Sequence, residues 1–348
     1  MFDLNKIIRP NIKNLKPYSS ARDEFKGEAS VYLDANENAF GSPLPQAFHR
    51  YPDPLQYKVK MRLSEIKGVP ARNIFLGNGS DEAIDILFRS FCNPGVDNVI
   101  IVPPTYGMYE VSANINDVQL KKVNLTDEYQ LNLEGIAEAI DKNTKLIFIC
   151  SPNNPTGNSI NREDIETILA NFNGIVVIDE AYINYSRQKS FIQELTEYAN
   201  LVVLQTLSKA WGLAGLRVGM AFASEEIIEV FNRVKPPYNI NEASQTLALE
   251  ALNNTEQVNA WIKETLKERD HLVLSLKNFD FVLDIYPSDA NFILVKTTDA
   301  NKIYEFLVNQ GIIVRNRNKV ELCEGCLRIT VGTPLENEML INSLKAYN

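Results

Sequence analysis

The chain has 348 residues, 45% of them hydrophobic and 23% charged, and its formal charge is −9, from 35 Lys and Arg against 44 Asp and Glu. This composition is typical of a globular protein with a large core, and the length favours two domains. A negative chain has no basic surface for nucleic acid or an anionic membrane, so we expect neither as a partner.

The N-terminus and the cysteines exclude further classes of protein. The first ten residues lack the apolar run of a signal peptide, and no run approaches 18 apolar residues, so we expect a cytoplasmic protein without a membrane span. Four cysteines in a chain of this length do not make a disulfide framework. Cys323 and Cys326 form a lone CxxC, and with only two histidines in the chain we interpret it as a turn between strands. We therefore predict no metal site.

The first part of the chain is predicted to form an N-terminal arm followed by a cluster of polar residues. Residues 1–30 are polar and mixed, and Pro10 and Pro17 interrupt any long helix. Residues 31–33 are predicted to form a short strand that runs into polar residues up to Asn38, a composition typical of turns.

Strands and helices alternate from about residue 73. After a short strand over residues 73–76, a glycine-bearing turn over residues 77–82 precedes an apolar stripe at i, i+3, i+4 and i+7, which predicts a helix from Ser80 or Asp81. Such a turn can cradle an anion, because free N–H groups and the helix dipole face one point. The alternative is an ordinary strand-to-helix turn with a Ser cap.

Continuous apolar strands predict the architecture of the larger domain. Buried strands are expected at residues 98–102, 145–150, 174–178, 201–204 and 217–222, separated by helices. Apolar strands of this kind form a mainly parallel sheet that helices cover on both faces. We therefore predict an α/β fold with a large domain over residues 31–245.

The pattern changes after residue 253, where fewer strands and more turns suggest a smaller α+β domain over residues 246–348, which the arm would join. Its predicted elements are a long helix over residues 256–277, strands at 292–295, 312–315 and 327–331, and a helix at 302–309.

Polar side chains follow several of the predicted parallel strands. Ligands bind outside the carboxyl ends of such strands, so the residues just past these ends should converge on one rim. They are Tyr106, Asn154, Asp179 and Lys209. Lys209 and Asp179 can form a structural ion pair, or both can serve a flat cation such as a protonated pyridine, with the lysine attached covalently. The pyridine alternative corresponds to pyridoxal phosphate.

The sequence resembles the fold-type I pyridoxal-phosphate aminotransferases over nearly the whole chain. Asp179 and Lys209 are 30 residues apart, and Lys209 and Arg217 are eight apart, as in that family. Within it, the terminal motifs are most similar to the histidinol-phosphate aminotransferases. The motifs that carry the resemblance are Leu33–Asn38, Arg50–Pro52, Pro103–Tyr109, Ser151–Gly157, Asp179–Tyr182, Thr206–Lys209, Leu213–Arg217 and Gly325–Gly332.

The resemblance implies a role for each matching residue. Lys209 would carry pyridoxal phosphate and shuttle the proton, Asp179 would hold the pyridine nitrogen protonated, and Tyr182 would join Asn154 on the ring hydroxyl. Tyr106 would stack on the ring. The cofactor phosphate would be held by Gly79, Ser80, Asp81, Thr206, Ser208 and Arg217. Tyr51 would reach the phosphate in a neighbouring subunit, which implies a homodimer with shared active sites.

The resemblance also implies substrates. Histidinol phosphate would exchange its amino group with 2-oxoglutarate and glutamate, with Arg328 and Arg315 binding phosphate in one half-reaction and carboxylates in the other. Tyr18 and Asn36 would close over the substrate. Alternatives with the same fold are an aromatic amino-acid aminotransferase and a phospho-amino-acid decarboxylase. A more remote alternative is a non-catalytic cofactor-binding regulator.

Overall fold

The larger sheet provides the frame of the protein. The structure, a computed structural model, describes residues 2–18 and 29–347. The strands of this sheet are β1 (Ile74–Asn78), β2 (Asn98–Ile101), β3 (Gln119–Lys122), β4 (Thr144–Cys150), β5 (Ile175–Asp179), β6 (Leu201–Thr206) and β7 (Val218–Phe222). They lie in the order β1-β7-β6-β5-β4-β2-β3, and only β7 runs antiparallel to its neighbours. The predicted α/β fold with a mainly parallel sheet is confirmed.

Helices cover both faces of this sheet. In the described part of the chain they are α1 (Leu4–Ile7), α2 (Pro10–Lys13), α3 (Tyr57–Lys67), α4 (Ser80–Phe91), α5 (Met108–Ile115), α6 (Leu133–Ala139), α7 (Arg162–Asn171), α8 (Glu225–Val234) and α9 (Glu242–Ala251). Side chains that alternate along β5 enter different cores: Val176 and Ile178 enter one, and Ile175 and Val177 the other. Burial on both faces explains why the strand is a continuous apolar run.

The helix that begins after the glycine turn follows its prediction. α4 begins at Ser80, and its apolar stripe, which consists of Ile84, Leu87, Phe88 and Phe91, is fully buried. The stripe packs on the sheet and on α8, which fixes the first turn of α4 at the rim of the sheet.

The second sheet is smaller and antiparallel. Its strands are β8 (Val282–Ile285), β9 (Phe292–Thr297), β10 (Arg315–Asn316) and β11 (Cys326–Thr330), in the order β10-β11-β9-β8. The accompanying helices are α10 (Thr255–Leu276), α11 (Ala300–Asn309) and α12 (Pro334–Tyr347). A separate hydrophobic cluster lies between this sheet and its helices. Our prediction missed β8 and α12, and the strand expected at residues 312–315 pairs only at Arg315 and Asn316.

Two expectations for the first part of the chain differ from the structure. Residues 31–33 form no strand, and Val31 and Leu33 are largely exposed, because this segment lies on no sheet edge that could complete its hydrogen bonds. The arm was expected to join the smaller domain. The side chains of Leu4, Ile7 and Ile12 instead pack on the core of the large sheet, and the Arg9 guanidinium donates to the Arg89 carbonyl at 2.8 Å.

The cysteine pair lies in a turn, with both thiols buried. Within residues 2–18 and 29–347, no group of three or more His, Cys, Asp or Glu side chains is arranged to hold a metal ion. In the same part of the chain, no helix is both long and apolar enough to cross a membrane.

Candidate active site

The carboxyl ends of β4, β5 and β6 open into one cleft of about 760 Å³. Strands β10 and β11 bring the smaller sheet to its opposite wall, so both sheets contribute side chains. Thirteen of the predicted site residues line this cleft: Gly79, Ser80, Asp81, Tyr106, Asn154, Asp179, Tyr182, Thr206, Ser208, Lys209, Arg217, Arg315 and Arg328. The predicted convergence of strand ends is therefore present in the fold.

The first turn of α4 forms one end of the cleft, and it requires two glycines. Gly79, at φ +72°, precedes the helix, and a Cβ atom there would lie 2.7 Å from the Arg217 guanidinium. Gly219 on β7 passes so close that a Cβ atom would lie 2.1 Å from the Ser80 nitrogen. The close packing holds the free N–H groups of the helix start in place.

A guanidinium and two hydroxyl groups surround this helix start. Arg217 Nη1 lies 3.4 Å from Ser208 Oγ, and Arg217 Nη2 lies 3.5 Å from Asp81 Oδ2. Thr206 Oγ1 accepts a hydrogen bond from the Ser208 N–H at 3.0 Å. A helix N-terminus, an arginine and hydroxyl groups are the donors that a phosphate group prefers, so these residues fit the phosphate of pyridoxal phosphate.

The Asp179 carboxylate lies at the floor of the cleft and is buried. Burial raises its pKa, while hydrogen bonds from the Tyr109 hydroxyl at 2.7 Å and the Ala181 N–H at 3.1 Å act in the opposite direction. A buried carboxylate without a cationic partner in contact is suited to a cationic ring nitrogen.

Lys209 follows β6 and extends into the same cleft. Its ammonium nitrogen lies 5.6 Å from the centroid of the Tyr182 ring. Desolvation and the nearby Arg328 lower the pKa of Lys209, and Asp179 raises it by a smaller amount. A lowered pKa increases the fraction of neutral amine near pH 7, which is the nucleophilic form.

The wall opposite Lys209 carries three arginines. Arg328 donates to Asn154 Oδ1 at 2.5 Å and lies over the Phe292 ring, and its neighbour across the strand pair is Arg315. Arg317 lies beside them, where burial and the two other guanidinium groups lower its pKa to about 10. The Nε atoms of Arg317 and Arg328 are buried without a hydrogen-bond partner. Among the described residues, none of the three forms an ion pair with a carboxylate, which favours an anionic ligand.

Three predicted residues do not line the cleft of their own chain. Tyr51 is half exposed and stacks on Tyr238 with the ring centroids 4.5 Å apart. Tyr18 is exposed, and Asn36 has a left-handed backbone conformation at φ +54°. Their proposed roles, in a neighbouring subunit's site or over the substrate, stay predictions.

Among the side chains in or beside the site that our sequence reasoning missed are Tyr109 and Arg317. Each had a detectable signal. Tyr109 belongs to the same Pro103–Tyr109 motif as Tyr106 and follows it by three residues, at the start of α5. Arg317 follows Arg315 by two residues, which is the spacing of side chains on one face of a strand.

Known proteins resemble the chain over its full length. Residues 32–344 match the family described as aminotransferase class I and II. The histidinol-phosphate aminotransferase of Parabacteroides distasonis is 56% identical over 345 residues, which cover 99% of this chain and 99% of that protein. The histidinol-phosphate aminotransferase of Cytophaga hutchinsonii is 55% identical over 346 residues, with the same coverage of both proteins.

Solved structures show the same fold at lower sequence identity. A histidinol-phosphate aminotransferase from Clostridium acetobutylicum has a TM-score of 0.80 at 24% identity, covering 86% of this chain and 91% of that chain. The Sinorhizobium meliloti histidinol-phosphate aminotransferase, solved in complex with pyridoxal-5'-phosphate, has a TM-score of 0.79 at 22% identity, covering 97% and 98%.

Proposed function

Because the chain belongs to the class I and II aminotransferases, we propose that it transfers an amino group from L-histidinol phosphate to 2-oxoglutarate. The products are 3-(imidazol-4-yl)-2-oxopropyl phosphate and L-glutamate, and the reaction is a step of histidine biosynthesis. The observation that carries the proposal is the wall of three arginines facing Lys209 across one cleft, in a chain similar over its full length to enzymes of that name.

The cofactor of the proposed reaction is pyridoxal phosphate, whose pyridine ring, when bound, supplies an electron sink for negative charge on the substrate carbon. The N-terminus of α4, with Arg217 and the hydroxyls of Thr206 and Ser208, would hold its phosphate. Asn154 and Tyr182 would bind the ring hydroxyl, and Tyr106 would cover the ring face.

The two central residues divide the proton chemistry between them. Lys209 Nζ would take the proton from the substrate Cα and return it to the cofactor carbon, which requires the neutral amine that its lowered pKa favours. Asp179 would hold a proton on the ring nitrogen, because an ionised carboxylate in a buried site strongly favours a positive partner.

The arginine wall would bind the substrate's anionic end. The planar guanidinium group binds phosphate or carboxylate through two parallel hydrogen bonds, so Arg328 and Arg315 can serve both half-reactions. We add Arg317 to this set, since its buried Nε lacks a partner in the described structure. A phosphate dianion satisfies three guanidinium groups better than a single carboxylate does.

Replacement of Arg317 by glutamine is expected to lower kcat/KM for histidinol phosphate by about tenfold or more, the effect of losing a hydrogen bond to a charged group. The glutamate half-reaction should change less, because Arg328 and Arg315 remain for its carboxylates. Steady-state kinetics with each substrate measures the difference. The matched control is Arg72→Gln, which removes an exposed ion pair with Glu225. This variant should leave kcat/KM unchanged for both substrates. Equal losses for both substrates in Arg317→Gln would contradict this assignment.

The proposed function is tested by following the visible absorbance band of the lysine-bound cofactor. The purified protein is mixed with histidinol phosphate, and in a parallel cell with phenylalanine. We expect rapid loss of the band with histidinol phosphate and slow loss or none with phenylalanine. The reverse order would instead support an aromatic amino-acid aminotransferase. In a third cell with a phosphorylated amino acid, release of carbon dioxide would indicate a decarboxylase. Cofactor binding without turnover of any amino donor would indicate a regulator.

We also propose a homodimer in which Tyr51 completes the site of the partner subunit. The segment that contains Tyr51 exposes many large apolar side chains, which an isolated chain would leave in water. They are Val31, Leu33, Phe40, Leu44, Phe48, Leu55, Tyr57 and Met61. Sedimentation should therefore give twice the 39.3 kDa mass of one chain, and a monomer at micromolar concentration would contradict the dimer.

A further inference from the structure

We propose that Tyr109 is a positioning residue, which keeps the Asp179 carboxylate ionised and oriented toward the ring nitrogen of the cofactor. The Tyr109 hydroxyl donates to Asp179 Oδ2 at 2.7 Å, and the Ala181 N–H donates to Asp179 Oδ1 at 3.1 Å. Each carboxylate oxygen thus has one protein donor. The carboxylate still borders the cleft, so it can accept a further hydrogen bond from a ligand there.

The position of Tyr109 is fixed by packing against two aromatic rings. It is completely buried, its ring stacks on Phe148 at 4.8 Å and 20°, and its edge meets Tyr106 at 5.6 Å and 85°. Phe148 lies on β4 directly beside Val177 of β5, so the ring that holds Tyr109 is part of the same sheet as Asp179. A hydroxyl held in this way loses little side-chain entropy when it binds the carboxylate.

The hydroxyl is also suited to remain a donor. Burial raises the pKa of Tyr109 well above its ordinary value, and the neighbouring Asp179 adds to this effect. The phenol therefore keeps its proton through the physiological pH range. While Asp179 is ionised the bond runs from phenol to carboxylate, and it favours the charged form of Asp179.

Other titratable groups face Asp179 from every element packed around it, and they shift its pKa in different directions. They are Asp81 on α4, Tyr106 before α5, Cys150 on β4, Tyr182 after β5 and Lys209 after β6. Burial raises the pKa of Asp179, and Asp81 raises it further, so both oppose the ionised form. Among the groups that lower the pKa of Asp179, the Tyr109 hydroxyl has the largest effect.

The inference rests on the proposed cofactor and concerns where its ring proton lies. Without the phenol, the carboxylate would bind a proton more strongly, and the ring nitrogen would be protonated less often. A ring with less positive charge withdraws less electron density from the lysine–cofactor linkage. That linkage then keeps its own proton to higher pH.

The test is a pH titration of the visible cofactor band in wild type and in Tyr109→Phe, a variant of nearly the same shape. We expect the titration midpoint to rise by about one pH unit, which corresponds to a tenfold change in the equilibrium. Incorporation of 3-fluorotyrosine at position 109, a more acidic donor, should move the midpoint in the opposite direction. The matched control is Tyr129→Phe, which loses a buried hydroxyl bond to the Leu322 carbonyl and should titrate as wild type does.

A carba analogue of the cofactor, with CH in place of the ring nitrogen, separates this role from a general effect on packing. With the analogue bound, wild type and Tyr109→Phe should titrate at the same pH. An unshifted midpoint with the natural cofactor, or an equal shift with the analogue or in Tyr129→Phe, would overturn the role of Tyr109. Absence of a visible band in wild type would overturn the cofactor proposal as well. Failure of the cofactor proposal can therefore be told apart from failure of the role of Tyr109.

Discussion

Replacement of Lys209 by alanine is expected to reduce turnover of histidinol phosphate by at least about 10³-fold, because the variant loses both the covalent attachment point and the proton-transfer group. Among the described residues, Lys209 provides the lysine amine at the floor of the cleft, where a lowered pKa favours its neutral form. Neither Thr206 nor Ser208 can replace that amine, since a hydroxyl has no comparable basicity near pH 7.

Single-turnover kinetics and the cofactor spectrum measure this loss together. The variant should still bind pyridoxal phosphate through the helix start and Arg217, but with the spectrum of the free aldehyde. Lys302→Ala is the matched control, because its exposed ammonium pairs with Asp299 on the smaller domain, away from the cleft. Turnover near the wild-type rate in Lys209→Ala would rule out the proposed mechanism.

Replacement of Asp179 by asparagine should lower kcat by about 10² to 10³-fold while leaving the shape of the site intact. The amide oxygen can accept from the Ala181 N–H while the amide NH2 donates to the Tyr109 oxygen, but the amide has no charge to keep a proton on the ring nitrogen. Rapid-mixing kinetics of each half-reaction would locate the loss in the step that removes the Cα proton. A variant that loses affinity for substrate but not rate would contradict the role given to Asp179.

Stability without cofactor provides an independent check on the same variant. Burial raises the pKa of Asp179, so its charged form costs stability at any pH above the ordinary carboxyl pKa of about 4. The cofactor-free Asp179→Asn protein should therefore unfold at a higher temperature than wild type at pH 7, and the difference should shrink as the pH falls toward 4. With the cofactor bound the order should reverse. A lower melting temperature of the cofactor-free variant at pH 7 would indicate a disturbed fold.

The sequence was sufficient to predict the α/β architecture of the large domain and six of the seven strands of its sheet, but not the partly exposed edge strand β3. Strands such as β5 are apolar on both faces, and the stripe of α4 repeats at helical spacing, so burial alone dictates their type. The ends of these strands also determined most of the cofactor-binding side of the cleft. In parallel strands, the residue that follows the last buried position must lie at a common edge.

Prediction failed where structure depends on partners that are distant in sequence. Residues 31–33 have strand-like composition but lie on no sheet edge among the described residues, and β8 is only four residues long, too short to recognise without β9 beside it. The arm packs on α4 and α8 through a few apolar side chains, a contact that no local pattern indicates.

The sequence by itself thus determined the alternation of strands and helices and the rim that carries Asp179 and Lys209, because these follow from local periodicity and from burial. The tertiary structure alone decided the remaining half of the site. It brings Arg328 of the smaller sheet across the cleft to Asn154, and it places the Tyr109 hydroxyl on the Asp179 carboxylate 70 residues away in sequence. Such contacts depend on how two packed layers meet. The sequence around a charged group or a hydroxyl does not indicate which distant residue it will contact once the layers are packed together.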